Sequence, residues 1–218
     1  MAQDTGGVKD AGPWIDPLKY SEAGKEMPKD VLETARKTGP LTYNVLIDEK
    51  HVVSKLYNMV NVPTGVWINE KGRIVRPNEV AFADDRFKGF TGLDSAPYLN
   101  AIKDWAEKGD KSSYAMSEDR LREKLAAQDP NIAQASAEFG LGEQLYMAGH
   151  LADAIPHFKE AQRLNPKSWN YKRQAYKLSG ESDYGTTFAE EVKKAGGSKE
   201  YYLPPDLPKA GEPLEKKP

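Results

Sequence analysis

The spacing of apolar and polar positions splits the chain into two halves. In the first, short strand-like runs alternate with helices; the second is helical throughout. Met1 to Gly7 reads as a frayed strand end and its loop, and Gly12-Pro13-Trp14-Ile15-Asp16-Pro17 as a turn-rich segment with two apolar anchors. Pro28-Lys29-Asp30 opens a helix over Val31 to Lys37, because a proline near the first turn gives up an N–H that has no partner there. Gly39-Pro40 stops it. The β-branched and aromatic run Thr42 to Ile47, ended by Asp48, predicts a strand. Val52, Val53, Leu56, Tyr57 and Met59 fall near helical spacing and predict a helix over Lys50 to Met59. Val66-Trp67-Ile68 and Arg73-Ile74-Val75 predict a hairpin turned by Asn69-Glu70-Lys71-Gly72, with Gly72 supplying the positive φ. Arg76-Pro77 is expected to end the return strand.

Ala81 to Asp94 reads as a polar loop. Ser95 is expected to cap a helix to about Lys108 that carries Tyr98, Leu99, Ile102 and Trp105 on one face. Composition shifts once, near residue 110. Helices are then predicted over Ser117 to Gln128, Ala133 to Ala148, Leu151 to Leu164, Lys167 to Leu178 and Asp183 to Lys194. The organisation expected is an α/β domain over 1–110, a helical domain over 111–200, and a Pro-rich tail over 201–218, extended and mostly disordered.

The 218 residues suffice for one large domain or two small ones. A formal net charge of −2 provides no strong field of one sign, so neither a nucleic acid nor an anionic membrane surface is an expected partner. No run approaches the roughly 20 apolar residues of a membrane span. The first residues lack the basic and apolar regions of a signal peptide, so the chain defaults to the cytoplasm. The cysteine count is zero, which excludes disulfides, thiolate metal sites and dithiol chemistry by this chain.

Val62-Pro63, placed between a helix and a short strand, and the hairpin Val66-Trp67-Ile68, Asn69-Glu70-Lys71-Gly72, Arg73-Ile74-Val75 resemble the second half of a thioredoxin-like domain of the redoxin, AhpC/TSA type. Tyr43-Asn44-Val45-Leu46-Ile47-Asp48 resembles the extra strand of those members. The resemblance covers roughly residues 1 to 108. It implies a mixed sheet, a cis bond into Pro63, and a peptide-binding edge at Val62, Pro63 and Thr64, where a tight X-Pro turn bares backbone groups for an extended partner. It also implies thiol–disulfide or peroxide chemistry. The family places a Cys-x-x-Cys motif at a helix N-terminus, which lowers the pKa of the first thiol. Here that unit is missing, and Ala2-Gln3-Asp4-Thr5-Gly6-Gly7 resembles the end of the family's next strand. A truncated product or a late start is the expectation. The alternative is a short protein that completes its sheet by dimerisation or with a partner, since an incomplete sheet leaves backbone groups unpaired.

Leu141, Gly142, Leu145, Gly149, Leu151, Ala154, Phe158, Ala161 and Pro166 follow the spacing of one tetratricopeptide repeat, approximately Ala135 to Ser168. Gly142, Ala154 and Ala161 let two antiparallel helices approach, Phe158 fills the space between them, and Pro166 stops the second. A single repeat cannot bury its own apolar face, so it is expected to dock on its neighbours. A peptide-binding concave surface and a structural cap or dimer surface are both open readings. Thioredoxin-like and repeat-like segments occur together in a group of bacterial redoxin-domain proteins, to which Pro166-Lys167-Ser168-Trp169-Asn170-Tyr171 is also similar.

The remaining candidates point to little chemistry. His150 and His157 lie two helical turns apart without a third ligand, against the four that zinc takes, so no metal or cofactor is expected. The adjacent pairs Asp84-Asp85, Glu118-Asp119 and Glu190-Glu191 point apart on any regular element, so no catalytic residue is assigned. Trp67 and Trp105 read as core; Trp14, in a loop before a fold edge, could gate a groove but reads first as packing. Arg73 and Arg76 read as solvated strand-edge charges that could meet an acidic partner. Two functions remain in view. One is a redox role by resemblance, with this chain inactive alone. The other is a non-catalytic protein–protein or assembly module, acting through the Val62-Pro63 edge or the helical hairpin and possible as a homodimer.

Overall fold

A computed structural model describes Ala2, 4–125, 129–197 and 201–208. The chain forms two compact units, Met1–Asn58 and Met59–Pro218. The compositional shift near residue 110 falls inside the second.

In the first unit, helices α1 (Gly7–Ile15), α2 (Pro17–Glu22) and α3 (Lys29–Thr38) precede a short α4 (Val52–Leu56). The segment read as turns is therefore helical. Pro13 sits inside α1, and Lys9 O, which loses its helical donor to the proline ring, accepts from Lys25 Nζ at 3.4 Å. Pro17 opens α2 at a position that needs no N–H, with Asp16 Oδ1 accepting from Lys19 N. Trp14, expected to pack, is 63% exposed. The strand expected over Thr42 to Ile47 is also not formed. Among the described residues its backbone pairing is one parallel bridge, Ala2 with Ile47, made by Ala2 N to Leu46 O and Asp48 N to Ala2 O, both 2.8 Å. A single bridging residue cannot hold a strand, and Tyr43 and Leu46 remain exposed. Buried Asp48 accepts from Val52 N and Ser54 N, which fixes the start of the five-residue α4.

The second unit is built on an antiparallel hairpin, β1 (Thr64–Ile68) and β2 (Ile74–Val80). Asn69 makes the turn: its Oδ1 accepts from Lys71 N and Arg73 N, and Gly72 takes φ +72°. β2 runs on through Pro77, past the expected stop. The register shifts between Gly65↔Glu79 and Trp67↔Arg76, leaving an extra residue on β2, and a bulge is where a proline costs no ladder bond. The Val62-Pro63 bond is cis and leads directly into β1. Trp67 stacks on Trp105 at 5.1 Å and donates from Nε1 to the Tyr98 hydroxyl at 2.8 Å. A Cβ on Gly65 would stand 2.4 Å from that hydroxyl, so only glycine admits it. With Val75, Ala101 and Ala115 these rings form one core.

A short α5 (Lys88–Thr91) inside the expected loop and a 13-residue α6 (Ala96–Lys108) follow. Ser95 does not cap α6. Asp94 Oδ1 accepts from Ala96 N instead, while the Ser95 amide and hydroxyl both donate to Asp85. Met116 N then donates to Val75 O at 3.0 Å, tying the next segment to β2, and α7 (Glu118–Lys124) is capped by Ser117. The end expected at Gln128 lies outside the described residues.

The antiparallel pair α8 (Pro130–Met147) and α9 (Leu151–Leu164), with α10 (Trp169–Ser179), makes a second core around Phe139, Phe158, Ala154, Ala161 and Ala175. A Cβ on Gly142 would lie 2.7 Å from the Phe158 ring, so the glycine sets the closeness of the pair. A third cluster joins Phe82, Trp169, Tyr201 and Tyr202, with Phe188 of α11 (Phe188–Lys194) packed on it. The start of the supposed disordered tail is therefore ordered: the aromatic rings of Tyr201 and Tyr202 offer more burial than the prolines and charges around them oppose. Residues 209–218 lie outside the described residues.

Two outcomes follow. Arg76 and Glu79 form a pair whose side chains are 2% and 9% exposed, so Arg76→Met should cost about 3–5 kcal/mol in urea unfolding by stranding a buried carboxylate, and adding Glu79→Met should recover part of it. Burial, aided by Glu191, pushes the Tyr176 hydroxyl from the ordinary 10.0 up to about 12. The stability it contributes is complete below pH 10 and is lost as pH rises through about 12. Unfolding measured across that window should show a smaller alkaline loss for Tyr176→Phe.

Candidate functional site

The backbone between Met59 and Thr64 is held from two sides. Asn170 of α10 donates from its amide to Val60 O at 3.1 Å and from Nδ2 to Met59 O at 2.6 Å. Buried Asn61 donates from Nδ2 to Tyr201 O at 2.5 Å, while its Oδ1 accepts from Val62 N at 2.8 Å. Thr64 then enters β1, and its hydroxyl donates to Glu79 O at 2.9 Å.

A cleft of about 190 Å³ opens beside this edge. Val60, Val80, Leu203 and Pro204 form its apolar walls, and Thr64, Asn78 and Glu79 bring polar atoms from the hairpin. Lys124 and Asp206 close the far side. Pockets for whole small molecules or cofactors run to roughly 300–1,000 Å³. This one suits a group the size of a side chain.

The electrostatics centre on buried Arg76. Its Nε and Nη2 donate to both Glu79 carboxylate oxygens at 3.0 Å, its Nη1 to Tyr114 O at 2.7 Å and its Nη2 to Asp206 O at 2.5 Å. The guanidinium also lies 5.4 Å from the centre of the Trp67 ring. The expectation of a solvated strand-edge charge thus fails for Arg76. The bulge at Pro77 turns this part of β2 toward the 112–116 and 201–208 segments, whose carbonyls provide the acceptors that an arginine needs when buried. The Asp206 carboxylate points the other way and pairs with Lys124 at 2.7 Å and Arg120 at 2.9 Å. Hydrogen bonds from Lys124, then Arg120, hold its carboxyl below the ordinary 3.8.

Of the residues expected at the edge, Thr64 lines the cleft, Val62 is half-buried, and Pro63 is exposed with its carbonyl accepting from Ala81 N. Gly142, Leu145, Ala154, Phe158 and Ala161 meet in the helical-hairpin core instead, and none of them lines the cleft. Leu141, read as part of that packing, is 47% exposed, because it faces away from α9 one position before Gly142. Pro166 lies exposed in the turn after α9. His157 Nδ1 sits 2.7 Å from a Glu138 oxygen, and among the described residues no group of three or more His, Asp or Glu side chains is placed to hold a metal ion. No helix of the described residues is long and apolar enough to cross a membrane.

Sequence reasoning missed Asn61, Glu79, Arg120, Lys124 and Asp206. Two signals were there to be read: Arg120 and Lys124 share a helix face at i, i+4, and Tyr201-Tyr202 is an aromatic pair in a polar tail. No protein-family model, curated protein or solved structure matches the chain.

Because Asn61 holds both Val62 N and Tyr201 O, Asn61→Ala should cost about 1–3 kcal/mol and speed hydrogen exchange at the Val62 amide.

Proposed function

We propose that this chain is a non-catalytic peptide-binding module built on a thioredoxin-like hairpin, with its binding edge running from Val60 to Thr64. The observation that carries the reading is the side-chain-sized cleft beside that edge, lined by apolar Val60, Val80, Leu203 and Pro204 and by polar groups of the hairpin, Lys124 and Asp206. An extended segment laid across Thr64 and the Asn78–Val80 end of β2 would insert one side chain there, the affinity coming from the pocket because the Val60, Val62 and Pro63 backbone groups are already hydrogen-bonded. The hairpin entered through Val62-Pro63 supports the kinship with redoxin-type domains. Without cysteine the chain has no thiolate to offer a disulfide or a peroxide. The helical pair α8 and α9 serves this module as packing, because the residues of its repeat-like pattern are mostly spent on its own core.

A random-peptide display library selected on the purified chain should yield binders. Thr64→Trp, which fills the cleft from the hairpin side, should weaken them at least tenfold while leaving the circular dichroism unchanged. Absence of binders, or equal binding to Thr64→Trp, rejects the cleft as the site. Insulin reduction and thiol-dependent peroxidase turnover should stay at the buffer control; turnover above it rejects the non-catalytic reading.

A further inference from the structure

The far wall of the cleft is a piece of the chain's own C-terminal segment. Leu203, Pro204 and Asp206 contribute to it, and Tyr201 and Leu207 anchor it on either side, in the aromatic cluster and against the Trp67 core. This strap belongs to neither a helix nor the sheet from Leu203 to Pro208. Pro204, Pro205 and Pro208 offer no N–H, so this segment is not suited to adding a strand to the hairpin. What holds its middle is chemical matching. Asp206 O accepts from buried Arg76, the Asp206 carboxylate meets Arg120 and Lys124, and Asp206 N donates to Glu79 Oε1 at 3.3 Å. The anchors differ in depth. The Arg76 contact is part-buried, on a guanidinium whose side chain is 2% exposed, whereas the Asp206 carboxylate is 47% exposed and Leu203 63% exposed. Exposed ion pairs of this kind contribute little each.

We infer that the hairpin edge and the paired cations of α7 form a docking surface for proline-rich segments carrying an acidic residue, and that Leu203–Leu207 occupies it in cis as a displaceable stand-in. This rests on the peptide-binding reading and names its partner class. A segment with an apolar residue, one or two prolines and then an acid can repeat the strap's two side-chain-specific polar contacts, the carbonyl on Arg76 and the carboxylate between Arg120 and Lys124, and set its apolar group beside the cleft that Leu203 lines. Prolines lower the conformational cost of ordering such a segment. Tethering gives the strap an effective concentration near millimolar, so an external segment competes poorly until the strap is loosened.

The test uses the full chain and a fluorescein-labelled peptide of the strap's own sequence, Tyr-Tyr-Leu-Pro-Pro-Asp-Leu-Pro. Asp206→Lys turns the strap's carboxylate into a charge repelled by Arg120 and Lys124. The expected result is at least tenfold tighter peptide binding to Asp206→Lys than to wild type by fluorescence anisotropy. That gain should be lost when the peptide carries Asn for its Asp, or when Arg120→Glu and Lys124→Glu are added to the chain. Hydrogen exchange at the residue 206 amide, which donates to Glu79 Oε1, should accelerate in Asp206→Lys relative to its intrinsic rate, which reports strap release without any peptide. Release with no gain in binding overturns the proposal and leaves the cleft to be judged by the display selection. Equal binding of the Asn peptide overturns the acidic specificity. Wild-type dimers that form by exchange of straps, and disappear in Asp206→Lys, would assign the surface to a second copy and overturn an external partner.

Discussion

The buried guanidinium of Arg76 is the interaction on which the second unit depends. A cation with 2% of its side chain exposed is tolerable only if nearly every N–H finds an acceptor, and Arg76 finds them on three separate stretches of chain: Glu79 on its own strand, Tyr114 O and Asp206 O. The same group lies over Trp67, whose indole nitrogen donates to the Tyr98 hydroxyl. One side chain thereby couples hairpin, core and C-terminal strap, and its geometry depends on the bulge that lets Pro77 sit within β2.

That coupling also shapes the cleft. The hairpin alone would present Val60, Thr64 and Val80 as an open edge. The strap, held at Asp206 by a part-buried contact on its carbonyl and exposed contacts on its carboxylate, gives the edge a second wall and makes it an open notch. A surface with one strong polar anchor and several weak ones suits exchangeable occupancy better than permanent closure. The peptide-binding reading and the displaceable strap are thus two consequences of one arrangement. The helical pair, by contrast, spends Gly142, Ala154, Phe158 and Ala161 on its own interior and supports the site through α10, where Asn170 holds the Met59 and Val60 carbonyls.

The elements that were legible in the sequence share a local cause. The hairpin could be read because Asn69 and Gly72 form the turn by themselves, and α9 because its apolar spacing and its terminators agree over Leu151–Leu164. The errors share a cause as well. Thr42 to Ile47 has strand-forming residues, but strand formation needs a neighbour, and among the described residues only Ala2 pairs there. Gly12-Pro13 has the composition of a turn, yet the helix continues because Lys25 supplies the donor that proline removes. Ser95 looks like a cap, but Asp85 takes its hydroxyl.

The amino-acid order by itself determined the absence of thiol chemistry, the hairpin with its turn, and the close-packed helical pair, because each follows from residue identity or from contacts a few positions apart. Only the tertiary structure decided that Arg76 is buried, that Tyr201 and Tyr202 are core, and that Asp206 meets Arg120 and Lys124. The decisive ones are long-range: Arg76 reaches Tyr114 O across 38 positions and Asp206 O across 130, Asn61 reaches Tyr201 O across 140, and Arg120 reaches Asp206 across 86. No local pattern marks such partners, because a charge reads as solvated until the acceptors brought by folding are counted.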